Sequence, residues 1–181
     1  AAAHLYEELD DESQLANCLG NLGLIAQDLG NASEAIEYHQ ASLVITREIG
    51  DAGGQRVDLT NLAAVYYSQG DYMRAEKGYQ EVRTLAVEAG EREDEMNALA
   101  GLGLIYRSRG ELEKSRDHFV RALAIAHEIQ HHHGKAAHLG NLGLVYQDLG
   151  NLSRARELHQ SAAELHAKLG NRQSQANQLG N

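Results

Sequence analysis

Shifted by 40 residues, the chain lies on itself without a gap: Asn21-Leu22-Gly23, Asn61-Leu62-Ala63, Gly101-Leu102-Gly103 and Asn141-Leu142-Gly143 superimpose, and Asn181 falls in the same column. A period of roughly 20–50 residues belongs to solenoids and propellers, in which each unit packs on its neighbours. The spacing inside each unit decides for helices. Leu139, Leu142, Tyr146 and Leu149 recur at i, i+3, i+7 and i+10, as do Leu19, Leu22, Ala26 and Leu29, which predicts one buried apolar stripe along the first helix of each unit.

Gly30, Gly70, Gly110 and Gly150 follow that stripe, and Asn31, Asp71, Glu111 and Asn151 come next. Glycine suits the left-handed residue just past a helix, and a short polar side chain caps the helix after it. A second helix then carries Ala35, Ile36, His39, Leu43 and Ile45, or Ala75, Tyr79, Val82 and Leu85, and is expected to end near Gly50, Gly90 and Gly170. Gln130 stands where the third of these glycines would be, with His131, His132 and His133 after it. That turn is expected to be looser and to hold the histidines in a solvated loop. The reading is one all-α array over 1–181, in units 1–10 (partial), 11–50, 51–90, 91–130, 131–170 and 171–181 (partial). Ala2, Ala3, Leu5 and Leu9 repeat Ala162, Ala163, Leu165 and Leu169, and Leu179-Gly180-Asn181 repeats Leu139-Gly140-Asn141. The chain is therefore expected to be a fragment of a longer array, whose cut helical ends could self-associate.

Leu139-x2-Leu142-Gly143-x2-Tyr146 followed by Ala155-x3-His159, with matching runs at Leu19, Leu59 and Leu99, resembles the tetratricopeptide repeat family. Leucine replaces the family's tryptophan, and no proline ends the second helix. The 40-residue length and the Leu-Gly-Asn wording resemble the subclass found in Partner-of-Inscuteable-type polarity adaptors and in bacterial multidomain signalling proteins, with kinesin light chain a more distant relative. The resemblance implies a right-handed superhelical solenoid of antiparallel helix pairs. It also implies a concave face lined by the first helices, and a protein or peptide ligand held there.

The stripe assigned to that face comprises Asn17, Asn21, Leu24 and Asp28, then Val57, Asn61, Ala64 and Ser68, then Asn97, Gly101, Leu104 and Ser108, then Ala137, Asn141, Leu144 and Asp148. An asparagine amide both donates and accepts, so Asn21, Asn61 and Asn141 suit the main chain of an extended peptide whatever its side chains. Asn17 and Asn97 extend the column, and Gly101 interrupts it. Flanking positions are expected to select side chains. Arg107 would receive an acidic group, Asp28 and Asp148 basic ones, and Tyr67 an apolar anchor, with Gln27 and Gln147 at the places equivalent to Tyr67 and Arg107.

Charge argues against other partners. Sixteen basic residues against twenty-six acidic ones give −10, which opposes the attraction that nucleic acids and anionic membranes require. No apolar run is long enough to span a bilayer, and no basic-then-apolar leader opens the chain. Cys18 is the single cysteine, so a cytoplasmic setting is expected. Asn31-Ala-Ser33 and Asn151-Leu-Ser153 match the glycosylation sequon but fall at expected helix caps. No cofactor is expected. His127 and His131 have a two-ligand spacing without a completing cysteine or carboxylate, and Gly134-Lys135 lacks the rest of a phosphate loop. Cys18 has no positioned base, and its column (Asp58, Ala98, His138 and Gln178) is mixed enough to suggest partial exposure. No catalytic set emerges. An alternative role is that of a sensor or assembly arm in a larger regulatory enzyme or ATPase.

Overall fold

A computed structural model describes the backbone of residues 2–179 and the side chains of residues 11–170. The side chains of the two partial units, 1–10 and 171–181, lie outside the described set. Eight helices follow in order: α1 (Ala2–Asp28), α2 (Ala32–Glu48), α3 (Ala52–Ser68), α4 (Tyr72–Ala89), α5 (Arg92–Ser108), α6 (Leu112–Glu128), α7 (His132–Asp148) and α8 (Leu152–Leu179). The fold is an all-α solenoid of paired antiparallel helices. It divides into two compact units, residues 1–94 and 95–181.

Each hairpin closes in the same way. After α2, the Gly50 N–H donates to Arg47 C=O and the Asp51 N–H to Thr46 C=O, at 3.3 and 2.8 Å, with Gly50 left-handed at φ 72°. The expectation of a looser third inter-unit turn is corrected by Gln130, which takes the left-handed conformation at φ 56°. Its N–H donates to His127 C=O and that of His131 to Ala126 C=O, again at 3.3 and 2.8 Å. The turn is imposed by the helices on either side, and a residue other than glycine accepts the conformation at some energetic cost. The three histidines are not a loop. His131 caps α7 by accepting the Gly134 N–H on Nδ1 (2.8 Å), as Asp51 caps α3 by accepting the Gly54 N–H (3.0 Å), while His132 and His133 begin α7.

Two expected breaks are absent. α1 runs through position 10, and α8 continues through Gly170. Glycine permits a stop without compelling one, since it adopts right- and left-handed backbone about equally well.

In the first unit, α2 lies between α1 and α3, and Ala26, Ala35 and Val65 form a core cluster flanked by Ile36 and Tyr38. In the second, Met96 and Leu99 of α5 pack with Ala122, Ile125 and Ala126 of α6, and Phe119 packs with Leu142, Val145 and Leu158. The small residue one place after the stripe leucine marks where the helices of a pair approach most closely. A Cβ added to Gly103 would stand 2.9 Å from the Phe119 ring, and one added to Gly143 2.6 Å from the His159 ring. Where Ala63 takes this place, the glycine moves to the facing helix: a Cβ on Gly78 would lie 3.0 Å from that of Ala63.

Of the predicted stripe, Leu59, Leu62 and Tyr66 are buried on α3, Leu99, Leu102 and Tyr106 on α5 and Leu142 on α7, with Leu139, Tyr146 and Leu149 half-buried, while α1 buries Ala26. Leu22 of α1 and Leu29 just past its end are exposed, and Ile25 is 54% exposed, whereas Val65 and Val145 in the places equivalent to Ile25 are 3% and 0% exposed. Val65 is covered by α2, and Val145 packs with Phe119 of α6. α1 packs on α2 and α3, leaving its remaining face open.

Candidate functional site

In the first unit, α1 and α3 bring together Asn17, Asn21 and Asn61, three of the predicted contact residues, around a hollow of about 240 Å³. Ala16, Leu24 and Val57 supply its apolar lining, and Ser42, Thr46, Asp51 and Asp58 its polar lining. Asn17 and Asn21 are exposed and Asn61 is half-buried. None of the three amides bonds to another described residue, so their donors and acceptors face solvent, and the same holds for Asn97 and Asn141 of the second unit. An asparagine amide with no local partner is a usable backbone clamp.

The flanking positions are less free. The Gln27 amide donates to Nε2 of buried His39 at 2.7 Å, so this residue of α1 is held by α2. Burial lowers the His39 pKa, which keeps the ring neutral and able to accept. Gln27 and Asp28 still line a second hollow, of about 300 Å³, with Ala64, Val65 and Ser68. Tyr67 leans on Tyr72 with ring centroids 5.7 Å apart. In the second unit the structure pairs two residues expected to serve a ligand separately: Arg107 Nε lies 2.6 Å from Asp148 Oδ2. Each already has the charge it was expected to receive from a partner. Gln147, beside Asp148 on α7, is exposed.

Beneath the asparagines lies a polar set that the sequence reading missed. Asp58 is 3% exposed, and its Oδ2 accepts hydrogen bonds from the Ser42 hydroxyl (2.9 Å) and the Thr46 hydroxyl (3.2 Å). Ser42 Oγ lies equally near the Ala16 carbonyl, at 2.9 Å, so its single proton is shared between α1 and Asp58. Burial pushes the Asp58 carboxyl above the usual carboxylate range. The two hydroxyls partly oppose that rise, and nearby Asp51 adds to it. The expected partial exposure of this column is corrected for its described side chains: Asp58, Ala98 and His138 are buried, whereas Cys18, on α1, is exposed, and Gln178 lies outside the described side chains. The signal was present in the register, where Ser42 and Thr46 align with Val82 and Ala86, then with Ala122 and Ala126. A polar pair in an otherwise apolar column marks a junction with its own chemistry.

His138 occupies the Asp58 place in the second unit. Both of its ring nitrogens are buried without a hydrogen-bond partner, and burial, with His131 adding to it, lowers its pKa to about 4. His39 and His159 sit against Gly23 and Gly143 as packing residues. Among the described residues, no three His, Cys, Asp or Glu side chains converge as a metal site, and no helix is long and apolar enough to cross a membrane.

A family model described as tetratricopeptide repeat matches residues 11–86, 55–128 and 94–168. No curated protein matches the sequence. Among solved structures, BtubC (BKLC) from P. vanneervenii is 21% identical, with a TM-score of 0.79 over 88% of this chain and 66% of that one. The apo form of RapI is 18% identical, with a TM-score of 0.82 over 97% of this chain and 64% of that one. Aspartyl phosphate phosphatase F from Bacillus subtilis is 16% identical, with a TM-score of 0.83 over 88% of this chain and 42% of that one. The chain thus spans less than two thirds of each of these proteins, and the likeness is one of fold.

Proposed function

Because the chain belongs to the tetratricopeptide repeat family, whose helix-pair arrays serve as protein and peptide interaction modules, we propose that it holds an extended segment of a partner protein along its first helices. The observation that carries this reading is the gathering of Asn17, Asn21 and Asn61 around one hollow of α1 and α3, with amides that no neighbouring side chain occupies. In the second unit, Asn97 on α5 and Asn141 on α7 offer amides of the same kind. Exposed Leu24 and Val57 beside the amides offer apolar contact to alternate side chains of a bound strand. Amides that bond the ligand's main chain supply affinity with little dependence on its sequence, and flanking hollows supply the selection.

The 40-residue units and the recurring Leu-Gly wording support placing the chain with the Leu-Gly-Asn subclass, whose adaptors use asparagine in this way. No step of this role requires catalysis, and a reducing cytoplasm suits the exposed thiol of Cys18. The test is a random-peptide display selection on the purified chain, followed by titration of selected peptides on the wild type and on Asn17→Ala/Asn21→Ala/Asn61→Ala. The expected outcome is at least a tenfold loss of affinity with unchanged helicity, about 1.4 kcal/mol. Failure to enrich any peptide, or equal affinity for the two proteins, would overturn the proposal.

A further inference from the structure

Asp58 is not required for the packing of a helix junction in this fold. At the α6–α7 junction of the second unit the places of Ser42, Thr46 and Asp58 hold Ala122, Ala126 and His138, so that junction forms without a carboxylate, and Ala122 and Ala126 pack instead with Met96 and Leu99 of α5. A carboxylate in such a position carries a desolvation penalty that two hydroxyl hydrogen bonds only partly offset. Ser42 and Thr46 both donate to Oδ2. Oδ1 receives no hydrogen bond from a described side chain and stands beside the hollow, 3.9 Å from where a Cβ on Gly20 would be. Gly20 carries no side chain to close that approach. The asparagines ring the mouth, and Ala16, Leu24 and Val57 form an apolar sleeve.

This arrangement has the features of a seat for a cation on an apolar stem: hydrocarbon walls, a carboxylate oxygen at depth, and amide oxygens at the rim. We propose that the hollow between α1 and α3 takes the ammonium or guanidinium group of a lysine or arginine side chain of the bound segment, with Asp58 Oδ1 as its counter-ion. The proposal rests on the peptide-holding role assigned above and names its selected residue. The hydroxyls of Ser42 and Thr46 act as positioning residues that fix the carboxylate from the opposite oxygen. Asp51, at the N-cap of α3, adds negative charge at the same hollow while its own Oδ1 accepts the Gly54 N–H. The equivalent of Asp58 is alanine at position 98 and histidine at 138, so the seat is specific to the first unit.

Two probes test it. The chain is labelled with 13C at aspartate carboxyl carbons, Asp58 is assigned by its disappearance in Asp58→Asn, and n-butylammonium or n-propylguanidinium chloride is titrated against it, with n-butanol as the uncharged control. A saturable shift of the Asp58 carbon by either cation, half-complete below about 10 mM, is expected on the wild type. It should weaken about tenfold in Gly20→Leu, whose Cβ would stand at ordinary contact distance, 3.9 Å, from Asp58 Oδ1 and Ser42 Oγ and whose side chain would occupy the mouth, and be absent with n-butanol. The preferred cation identifies the side chain. Absence of a saturable shift by either cation at 100 mM, or the same shift in Gly20→Leu, would refute the seat. In the second probe, the lysine or arginine of a peptide selected on the wild type is replaced by norleucine. Affinity for the wild type should fall about tenfold, and affinity for Asp58→Asn should change less than twofold. Peptides that bind the amide clamp but lack this coupling defeat the cation seat and leave the peptide-holding role intact. A saturable amine shift with no peptide enriched supports the seat and defeats that role.

Discussion

Asp58 and His138 share one column of the 40-residue register, both are buried, and acid acts on them in opposite directions. The Asp58 carboxyl titrates above its unfolded value near 3.8, so the folded chain holds that proton more tightly than the unfolded one. Its contribution to stability is full below the unfolded value and is lost as pH rises through the raised one. Asp58→Asn keeps an acceptor for the hydroxyls and removes the charge. The expected outcome is a gain of about 1 kcal/mol at pH 7 that shrinks toward pH 4, read from denaturant midpoints. His138 has its folded pKa lowered to about 4 from 6.5, so its contribution is present above about 6.5 and drains away as pH falls toward 4. His138→Ala copies the residue at position 98, and the variant should lose less stability than the wild type between pH 7.5 and 5 in the same measurement. The asparagine column was legible from spacing alone. The carboxylate beneath it was not, because the column was judged with Cys18 included. Burial depends on which helix lies over a position, and α1 differs from α3 and α7 in that respect.

The helices themselves were almost fully written in the sequence, since apolar spacing and punctuating glycines place α2 to α7 at the predicted positions. The small residue after the stripe leucine was also readable as a sign of close approach, and the Phe119 and His159 rings confirm it at Gly103 and Gly143. Gly103→Ala should therefore destabilise the chain by about 1–3 kcal/mol, because the added methyl would stand 2.9 Å from the fully buried Phe119 ring. Gly140 lies in α7 with nothing within 4 Å of an added Cβ, and Gly140→Ala should stabilise by up to about 1 kcal/mol. Thermal melts of the two variants decide both outcomes, and a reversed order would contradict the packing described for Gly103 on α5 and Gly140 on α7. What remained hidden at this scale was compensation between helices: Ala63 reads as an exception until Gly78, on the facing helix, is seen to make the space. The Gln130 turn was hidden for a related reason, since neighbouring helices enforce a conformation that the residue itself would not choose.

For the molecule as a whole, the charge of −10 adds a long-range field to the local chemistry of the first unit. A cationic segment approaching an acidic chain is steered at low ionic strength, and the benefit falls as salt screens it. Association of a lysine-bearing peptide is expected to slow about tenfold between 20 and 500 mM NaCl, with dissociation changing far less, as measured by stopped-flow fluorescence. A dissociation rate carrying most of the salt effect would locate the electrostatics in the bound contact instead. The repeat class and the pairing of helices were legible at this scale from one self-alignment. The division at residues 94 and 95 had no counterpart in the period, since it falls within the first turn of α5, where the 40-residue pattern shows no change.

The left-handed residues at 30, 50, 70, 90, 110, 130 and 150 fall at intervals of 20, like teeth on a ratchet. One residue inserted within a helix would rotate every later side chain of that helix by about 100°, turning core outward and amides inward. Such an array can be rewritten letter by letter but not lengthened by a letter. Ala122→Ser, Ala126→Thr and His138→Asp would then amount to a transplant, carrying the chemistry of one joint to another while every turn keeps its place.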